Sequence, residues 1–319
     1  MKKIGVLTSG GDAPGMNAAI RAVVRQGIGL GMEVYGIRRG FEGLLDGDIE
    51  RMQFHSVGDI LQRGGTILRT ARSKRFFEPE WVDHGAKMLN TFGIEGLIVI
   101  GGEGSYKGGY DLSKRGITVM GVPGTIDNDL GYTVFSIGFD TAVNTILGLI
   151  SNIRDTSSSH ERTTIIEVMG RNCGDLALYA GLSGGADVIM IPEVEVDINE
   201  VCRKVLRGQK SGKAHSLIVK AEGVKMDSTE LANLLEEMTG REARTVVPGY
   251  IQRGGSPNEA DRRLASLTGA KAVQLLYDDM PSRAIGMQEG QVISVDLGEA
   301  IAMKREFPQE IYNLAEVLA

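Results

Sequence analysis

Short apolar runs that alternate with amphipathic stretches limit the folds open to this chain. Ile4–Leu7, Val34–Ile37, Leu97–Ile100, Ile117–Val122, Thr163–Val168, Val188–Ile191, Ser216–Ala221 and Thr245–Val247 have the length and apolar content of buried strands. Between them, Asn17–Leu30, Val82–Thr91, Thr141–Ile153, Asn199–Leu206, Ser228–Met238 and Asp261–Leu276 read as helices. Such alternation predicts an α/β fold: a largely parallel sheet with helices on both faces. At 319 residues the chain exceeds the usual size of a single core, so two domains are expected. Their division is expected near residue 138, although no proline-rich linker marks it.

Composition removes several function classes. A net charge of -6 without a Lys/Arg-rich block argues against nucleic-acid binding. Cys173 and Cys202 have neither metal-site spacing nor a disulfide framework, and suit a reducing, cytoplasmic setting. Lys2-Lys3 is followed by only Ile4 to Leu7 before polar sequence, too short for a signal-peptide core, and no run is long enough to span a membrane. The four histidines are scattered and form no H-E-x-x-H motif, which speaks against zinc hydrolysis.

Glycine pairs follow apolar runs at Gly10-Gly11, Gly64-Gly65, Gly101-Gly102, Gly184-Gly185 and Gly254-Gly255. Tight turns at strand ends, or close backbone approach to a ligand, explain that placement. The first turn, Thr8 to Asn17, is neither a P-loop nor a G-x-G-x-x-G; it reads equally as a plain strand–turn–helix joint or a phosphate site. In Gly101-Gly102-Glu103-Gly104-Ser105, bare backbone can carry nucleotide phosphates, Ser105 can donate, and Glu103 can hold magnesium directly or through water. Gln62-Arg63-Gly64-Gly65 recurs as Gln252-Arg253-Gly254-Gly255, read here as two independent turns.

The acidic loop Pro123-Gly124-Thr125-Ile126-Asp127-Asn128-Asp129 follows a strand, where ligands of open α/β sheets bind. Thr125 can bond a transferring phosphoryl group. Asp127 can accept the proton of an attacking hydroxyl, and Asp129 can orient that hydroxyl or raise its neighbour's basicity. An Asx-rich turn capping the next helix is the plainer alternative. Arg72, Arg162, Arg171, Arg244 and Arg253 flank or follow strand-like runs and can offset phosphate charge. Glu222, in Ala221-Glu222-Gly223, can accept sugar hydroxyls or serve as a turn carboxylate.

The ordered motifs LTSGGDAPGMNA, RGGT..RTAR, GGEGS, PGTIDNDL, IGFDTA, IRDTSSSHER, EVMGRNCGD, AEGV and QRGGSP closely resemble those of the bacterial ATP-dependent 6-phosphofructokinases, from Met1 to about Asn313. The resemblance implies two similar doubly wound, three-layer α/β domains. Residues 1–138 with about 256–303 would bind ATP, and 139–255 with about 304–319 would bind fructose 6-phosphate. It implies a glycolytic phosphotransferase using Mg2+ and ATP, assembled as a homotetramer with shared active sites. Gly11, Arg72, Ser73, Gly102, Glu103, Gly104 and Ser105 would face the nucleotide, with Glu103 toward the metal. Thr125, Asp127, Asp129, Met169, Gly170, Arg171, Glu222, Arg244, Tyr250 and Arg253 would face the sugar and the transfer, Asp127 as base. Arg162 and Arg244 would reach the sugar phosphate of an adjacent subunit. Glycine at positions 104 and 124 favours ATP over pyrophosphate, since pyrophosphate-dependent relatives typically carry Asp and Lys there.

This chain departs from the family pattern at several positions. Glu103 replaces the family's Asp, one methylene longer, which changes its reach toward a metal with strict octahedral demands. Tyr250 replaces a sugar-phosphate-binding His and carries no positive charge at neutral pH, so weaker sugar-phosphate binding is expected. Phe77 stands where a cation is usual near the nucleotide, with Arg75 as a partial substitute. In the family's effector pocket for ADP or phosphoenolpyruvate, Arg21, Arg25, Arg154, Gly185, Lys213 and His215 match. Phe54, Ser211 and Ala214 replace basic residues, and Asp187 replaces Glu. Three lost cations at ~1.5–3 kcal/mol per desolvated contact predict weak regulation. The rival readings are a metabolite-binding paralogue of low activity and a pyrophosphate-dependent kinase.

Overall fold

The computed structural model describes residues 1–319. The first half of the chain runs β1 (Lys3–Thr8), α1 (Met16–Gly29), β2 (Glu33–Ile37), α2 (Gly40–Asp46), β3 (Ile49–Met52), α3 (Pro79–Phe92), β4 (Gly96–Gly101), α4 (Glu103–Ser113), β5 (Thr118–Thr125), β6 (Ile137–Gly138) and α5 (Phe139–Ser159). It continues with β7 (Thr163–Val168), α6 (Asp175–Gly184), β8 (Val188–Met190), α7 (Ile198–Lys210), β9 (Ser216–Ala221), α8 (Ser228–Thr239) and β10 (Ala243–Val246). The last elements are α9 (Glu259–Tyr277), β11 (Arg283–Gln288), β12 (Gln291–Asp296), α10 (Leu297–Ala302) and α11 (Gln309–Leu318). Contacts divide them into two compact units, Met1–Thr141 with Arg253–Arg305, and Ala142–Gln252 with Glu306–Ala319.

The first unit is built on an eight-stranded sheet in the order β12-β11-β5-β4-β1-β2-β3, with β6 beside β5. Its centre is parallel, as the continuous apolar runs predict for strands buried on both faces. Leu7, Val99, Val119 and Tyr106 pack into the core on one face. On α1 and α9 small residues allow close approach: a Cβ on Gly269 would stand 2.9 Å from the Ala19 carbonyl oxygen and 3.1 Å from the Ala22 methyl. The antiparallel edges β3 and β12 lie outside the eight sequence-predicted strands. Ile49-Glu50-Arg51-Met52 has only two apolar residues, and β12 is partly exposed, so neither shows a buried run. Glu289 and Gly290 join β11 to β12, both with positive φ (48° and 76°), as a two-residue hairpin of the primed type requires.

The second unit has a four-stranded, wholly parallel sheet in the order β10-β7-β9-β8. Ile165, Val188 and Ile218 pack against Val201, Val205, Leu231 and Leu235. Strand β10 lies earlier than the expected Thr245–Val247, and Val247 is exposed. The registers Val168↔Ala221 in this unit and Thr8↔Ile100 in the first bring strand ends level, whereas β5 runs two residues beyond Gly101↔Pro123, so that Pro123 to Thr125 of the expected acidic loop belong to the strand.

Candidate active site

In the first unit the backbone of the β1–α1 turn closes on that of the β4–α4 turn. Ser9 N–H donates to the Ile100 carbonyl at 3.0 Å. A Cβ on Gly101 would stand 2.6 Å from the Ser9 carbonyl oxygen, so only glycine permits this approach. Helix α4 starts at Glu103 behind Gly102, with no side chain capping it. That helix end directs N–H groups and a partial positive charge toward an incoming anion. A Cβ on Gly104 would meet nothing within 4 Å, so the space above the helix end is open. The Glu103 carboxylate is half-exposed and paired with Lys107, one turn along. Ser105 is buried. Gly11 lies under Arg253, whose Nη1 would stand 2.7 Å from a Cβ there.

The segment carrying Arg72 is tied down by groups that sequence reasoning did not single out. Asn17, 1% exposed, donates to the carbonyls of Arg63 and Gly64 and accepts from Ile67 N–H at 2.8 Å. Thr8 Oγ1 donates to the Arg69 carbonyl, and Thr70 Oγ1 to the Gly10 carbonyl. The two Gln-Arg-Gly-Gly turns are not independent: a Cβ on Gly64 would stand 2.3 Å from the Gly255 carbonyl oxygen, and Ser256 Oγ donates to Gln62. Arg72 is exposed at this rim. Ser73 bonds Glu42 and accepts from Phe76 N–H. The Arg75 guanidinium is held by Glu42 and Asp46, 5.2 Å from the centre of the Trp81 ring. Hydrogen bonds from Ser73 and then Arg75 hold Glu42 below the usual carboxylate range.

The acidic loop leaves β5 at Thr125. Asp127 is 5% exposed, and its N–H donates to Thr125 Oγ1 at 3.1 Å. The intervening Asn128 is the scaffold. Its φ is 53°, a left-handed conformation that Asn tolerates better than most side chains. Asn128 Nδ2 donates to the Val134 carbonyl, and its Oδ1 accepts from Ser136 N–H. Ser136 Oγ donates to the Thr125 carbonyl at 2.7 Å. Nothing in the motif itself marks the asparagine between Asp127 and Asp129 for this role.

In the second unit, β7 and β9 end together at a pocket of about 130 Å³ lined by Glu167, Met169, Glu222, Tyr250 and Gln252 among others. After Met169 the backbone takes two left-handed conformations, Gly170 (φ 133°) and Arg171 (φ 53°). Glu222 Oε1 fixes that turn by accepting the N–H groups of Gly170 at 3.2 Å and Arg171 at 2.8 Å. Gln252, fully buried, accepts from Met169 N–H and donates to the Gly249 carbonyl. Met169, Gly170, Arg171, Glu222 and Tyr250 are thus brought together, although Glu222 serves the backbone turn as well as the pocket.

Arg162 and Arg244 are not brought to this pocket. Arg162 precedes the first residue of β7 and Met169 follows its last; Arg244 pairs with Thr164 near the strand's start. At ~3.3 Å per residue the six residues of β7 put Arg162 roughly 20 Å from Met169, whereas Arg244 stands three residues, about 10 Å, before Val247 at the pocket. Arg162 Nη2 donates to Thr156 Oγ1, and Arg244 is ion-paired with Glu242.

The expected effector residues form a group in each unit. On α1, burial and then Arg25 lower the pKa of Arg21, and Arg25 lies 4.4 Å from the centre of the Phe54 ring. In the second unit Arg154 donates to the carbonyls of Gly184 and Gly185, and Lys213 is paired with Asp187. Burial, followed by the nearby Arg154 charge, lowers the His215 pKa.

The phosphofructokinase family pattern matches residues 3–276. Over its whole length the chain is 54% identical to the "ATP-dependent 6-phosphofructokinase" of Clostridium botulinum (strain Loch Maree / Type A3) and 55% identical to that of Clostridium acetobutylicum, each covered in full. Among solved structures, phosphofructokinase from Saccharomyces cerevisiae superposes with a TM-score of 0.91 at 34% identity; the whole chain aligns and spans 48% of the yeast chain. A pyrophosphate-dependent phosphofructokinase from Marinobacter aquaeolei shares the fold, with a TM-score of 0.88 at 22% identity over 97% of this chain and 86% of that one. On both sequence and fold, the chain belongs to the phosphofructokinase family.

Proposed function

We propose that this chain transfers the γ-phosphoryl group of ATP to the 1-hydroxyl of fructose 6-phosphate, giving fructose 1,6-bisphosphate and ADP. The observation that carries the reading is end-to-end identity above one half with bacterial relatives named for that activity. The geometry supports it with an uncapped helix end for phosphates, a buried carboxylate just past the end of the neighbouring strand, and a pocket in which Glu167, Glu222 and Gln252 can meet a polyol's hydroxyls.

The transfer runs in line. The substrate's 1-hydroxyl oxygen bonds the γ-phosphorus as the bridging bond to ADP breaks, and its proton passes to Asp127. Thr125 and Asp129 hold the acceptor. Arg72, Arg171 and the Gly11 N–H offset charge on the transferring group. A magnesium ion bound with the nucleotide would supply cationic charge against the phosphates. A carboxylate at the first position of α4, beside the phosphates, fits that ion, which usually takes one or two protein carboxylates and keeps several waters. Glu103 would hold it directly or through water, releasing Lys107 to do so. The open space at Gly104 suits a nucleotide's continuing phosphate chain. A coupled assay with ATP or pyrophosphate as donor tests this: turnover with ATP alone is expected, and turnover with pyrophosphate alone would reverse the donor assignment.

The active protein is a homotetramer with shared sites, a reading supported by the distance of Arg162 from the pocket of its own chain. Effector control is weak. Lys213 is neutralised by Asp187, Arg154 is committed to backbone carbonyls, and Phe54 supplies no charge beside Arg25. A phosphoenolpyruvate titration is expected to leave the rate nearly unchanged; strong inhibition at micromolar levels would overturn this.

A further inference from the structure

Beneath the sugar-side pocket lies a charged cluster that the transfer mechanism does not use. Lys220 is 1% exposed in the middle of the second sheet, where a lysine has almost no access to water. Its register partner across the β7–β9 ladder is Glu167. Lys220 Nζ donates to Glu167 Oε2 at 2.9 Å, and Ser228 Oγ donates to the same oxygen. Glu167 keeps a quarter of its side chain exposed and lines the pocket together with Glu222. The other nearby carboxylate, Asp227, is engaged by the N–H groups of Thr229 and Glu230 at the start of α8.

We infer that Lys220 is an electrostatic positioning residue for the acceptor: its buried ammonium cancels Glu167, so that a phosphorylated sugar meets one uncompensated pocket carboxylate, Glu222, instead of two. This rests on the sugar-phosphate reading of the pocket. A polyol needs carboxylates as acceptors for its hydroxyls, but a dianionic sugar phosphate is repelled by each one added. Buried, poorly screened charges have the longest electrostatic reach. Removing Lys220 therefore exposes the substrate to Glu167, whereas removing both charges together does not.

The test compares Lys220→Met, Glu167→Gln and the double variant, reading fructose 6-phosphate Kd by calorimetry and the KM and kcat of the full enzyme. Lys220→Met is expected to raise Kd and KM for fructose 6-phosphate about tenfold, the order expected for one uncompensated charge in a partly wet site, with kcat and the ATP KM within about twofold. The double variant should return to within about twofold of the parent, and Glu167→Gln alone should bind as tightly as the parent or more tightly. Equal weakening by all three variants would assign the cluster to packing alone and overturn the inference. If Lys220→Met does not fold, Glu167→Gln still decides, because weaker sugar-phosphate binding by that variant contradicts the charge argument. A parent chain that binds no fructose 6-phosphate would sink the pocket assignment itself; normal parent binding with unchanged variants overturns only the role of Lys220.

Discussion

A carboxylate works as a general base when the structure holds it where the proton will be released. Asp127 is held by a turn whose rigidity comes from its neighbour: Asn128 bridges Val134 and Ser136, and Thr125 Oγ1 receives the Asp127 N–H. Asp127→Ser keeps a small polar group but removes the proposed base. We expect kcat to fall about 10²–10⁴-fold with fructose 6-phosphate KM within a few-fold, measured by steady-state kinetics. Near-normal turnover would mean that another group takes the proton. Gly104 permits a second test, in which stability and activity move oppositely. A Cβ there meets nothing within 4 Å, and the position lies in the first turn of α4, where negative charge stabilises a helix by about 0.3–1 kcal/mol. The same charge would stand in the proposed nucleotide site. Gly104→Asp should therefore raise the thermal midpoint slightly while raising the ATP KM by an order of magnitude or more; unchanged ATP use would remove α4 from the nucleotide site.

At the scale of elements, buried polar groups tie loops to helices. Asp261, in the first turn of α9 and 1% exposed, accepts Gly138 N–H and both the N–H and Oγ1–H of Thr141, fixing the start of α5. Burial pushes its pKa up to about 6, against the pull of those hydrogen bonds, Thr141 Oγ1 first. A folded-state pKa above the unfolded value means the folded protein binds the proton more tightly. The resulting stability is fully present below about pH 4 and is lost as pH rises through about 6. Denaturant melts should show the parent gaining up to roughly 3 kcal/mol between pH 7.5 and 4 relative to Asp261→Asn. A parallel pH dependence in the two proteins would assign the effect elsewhere. Asp261 illustrates what sequence can and cannot reveal. Parallel strands buried on both faces are visible as apolar runs, and the loops at their ends follow directly. A carboxylate such as Asp261, or the amides of Asn17 and Gln252, gains its role largely from groups far away in the chain. The contact between the two Gln-Arg-Gly-Gly turns is invisible for the same reason: nothing local records that Gly64 packs on the Gly255 carbonyl.

For the whole molecule, the position of Arg162 bears on how many chains make a site. It lies about one strand length, roughly 20 Å, from Met169, farther than an arginine side chain reaches, while Arg244, about 10 Å before Val247 at the pocket, is paired with Glu242. If the two bind one sugar phosphate together, as proposed, they bind it in a neighbour. A symmetric assembly makes such an exchange reciprocal, since each chain lends its arginines and receives another's. This can be tested without a structure of the assembly. Asp127→Ser and Arg244→Ala chains should each be nearly inactive alone. After co-refolding in equal amounts, a site with an intact Asp127 from one chain and an intact Arg244 from the next arises with probability one half times one half, so roughly a quarter of parental activity should return. Recovery should appear as the chains exchange and should be absent when preformed oligomers are mixed and assayed at once. Failure to recover after verified exchange would place Arg244 and Asp127 in the same chain's site, or remove Arg244 from sugar-phosphate binding altogether.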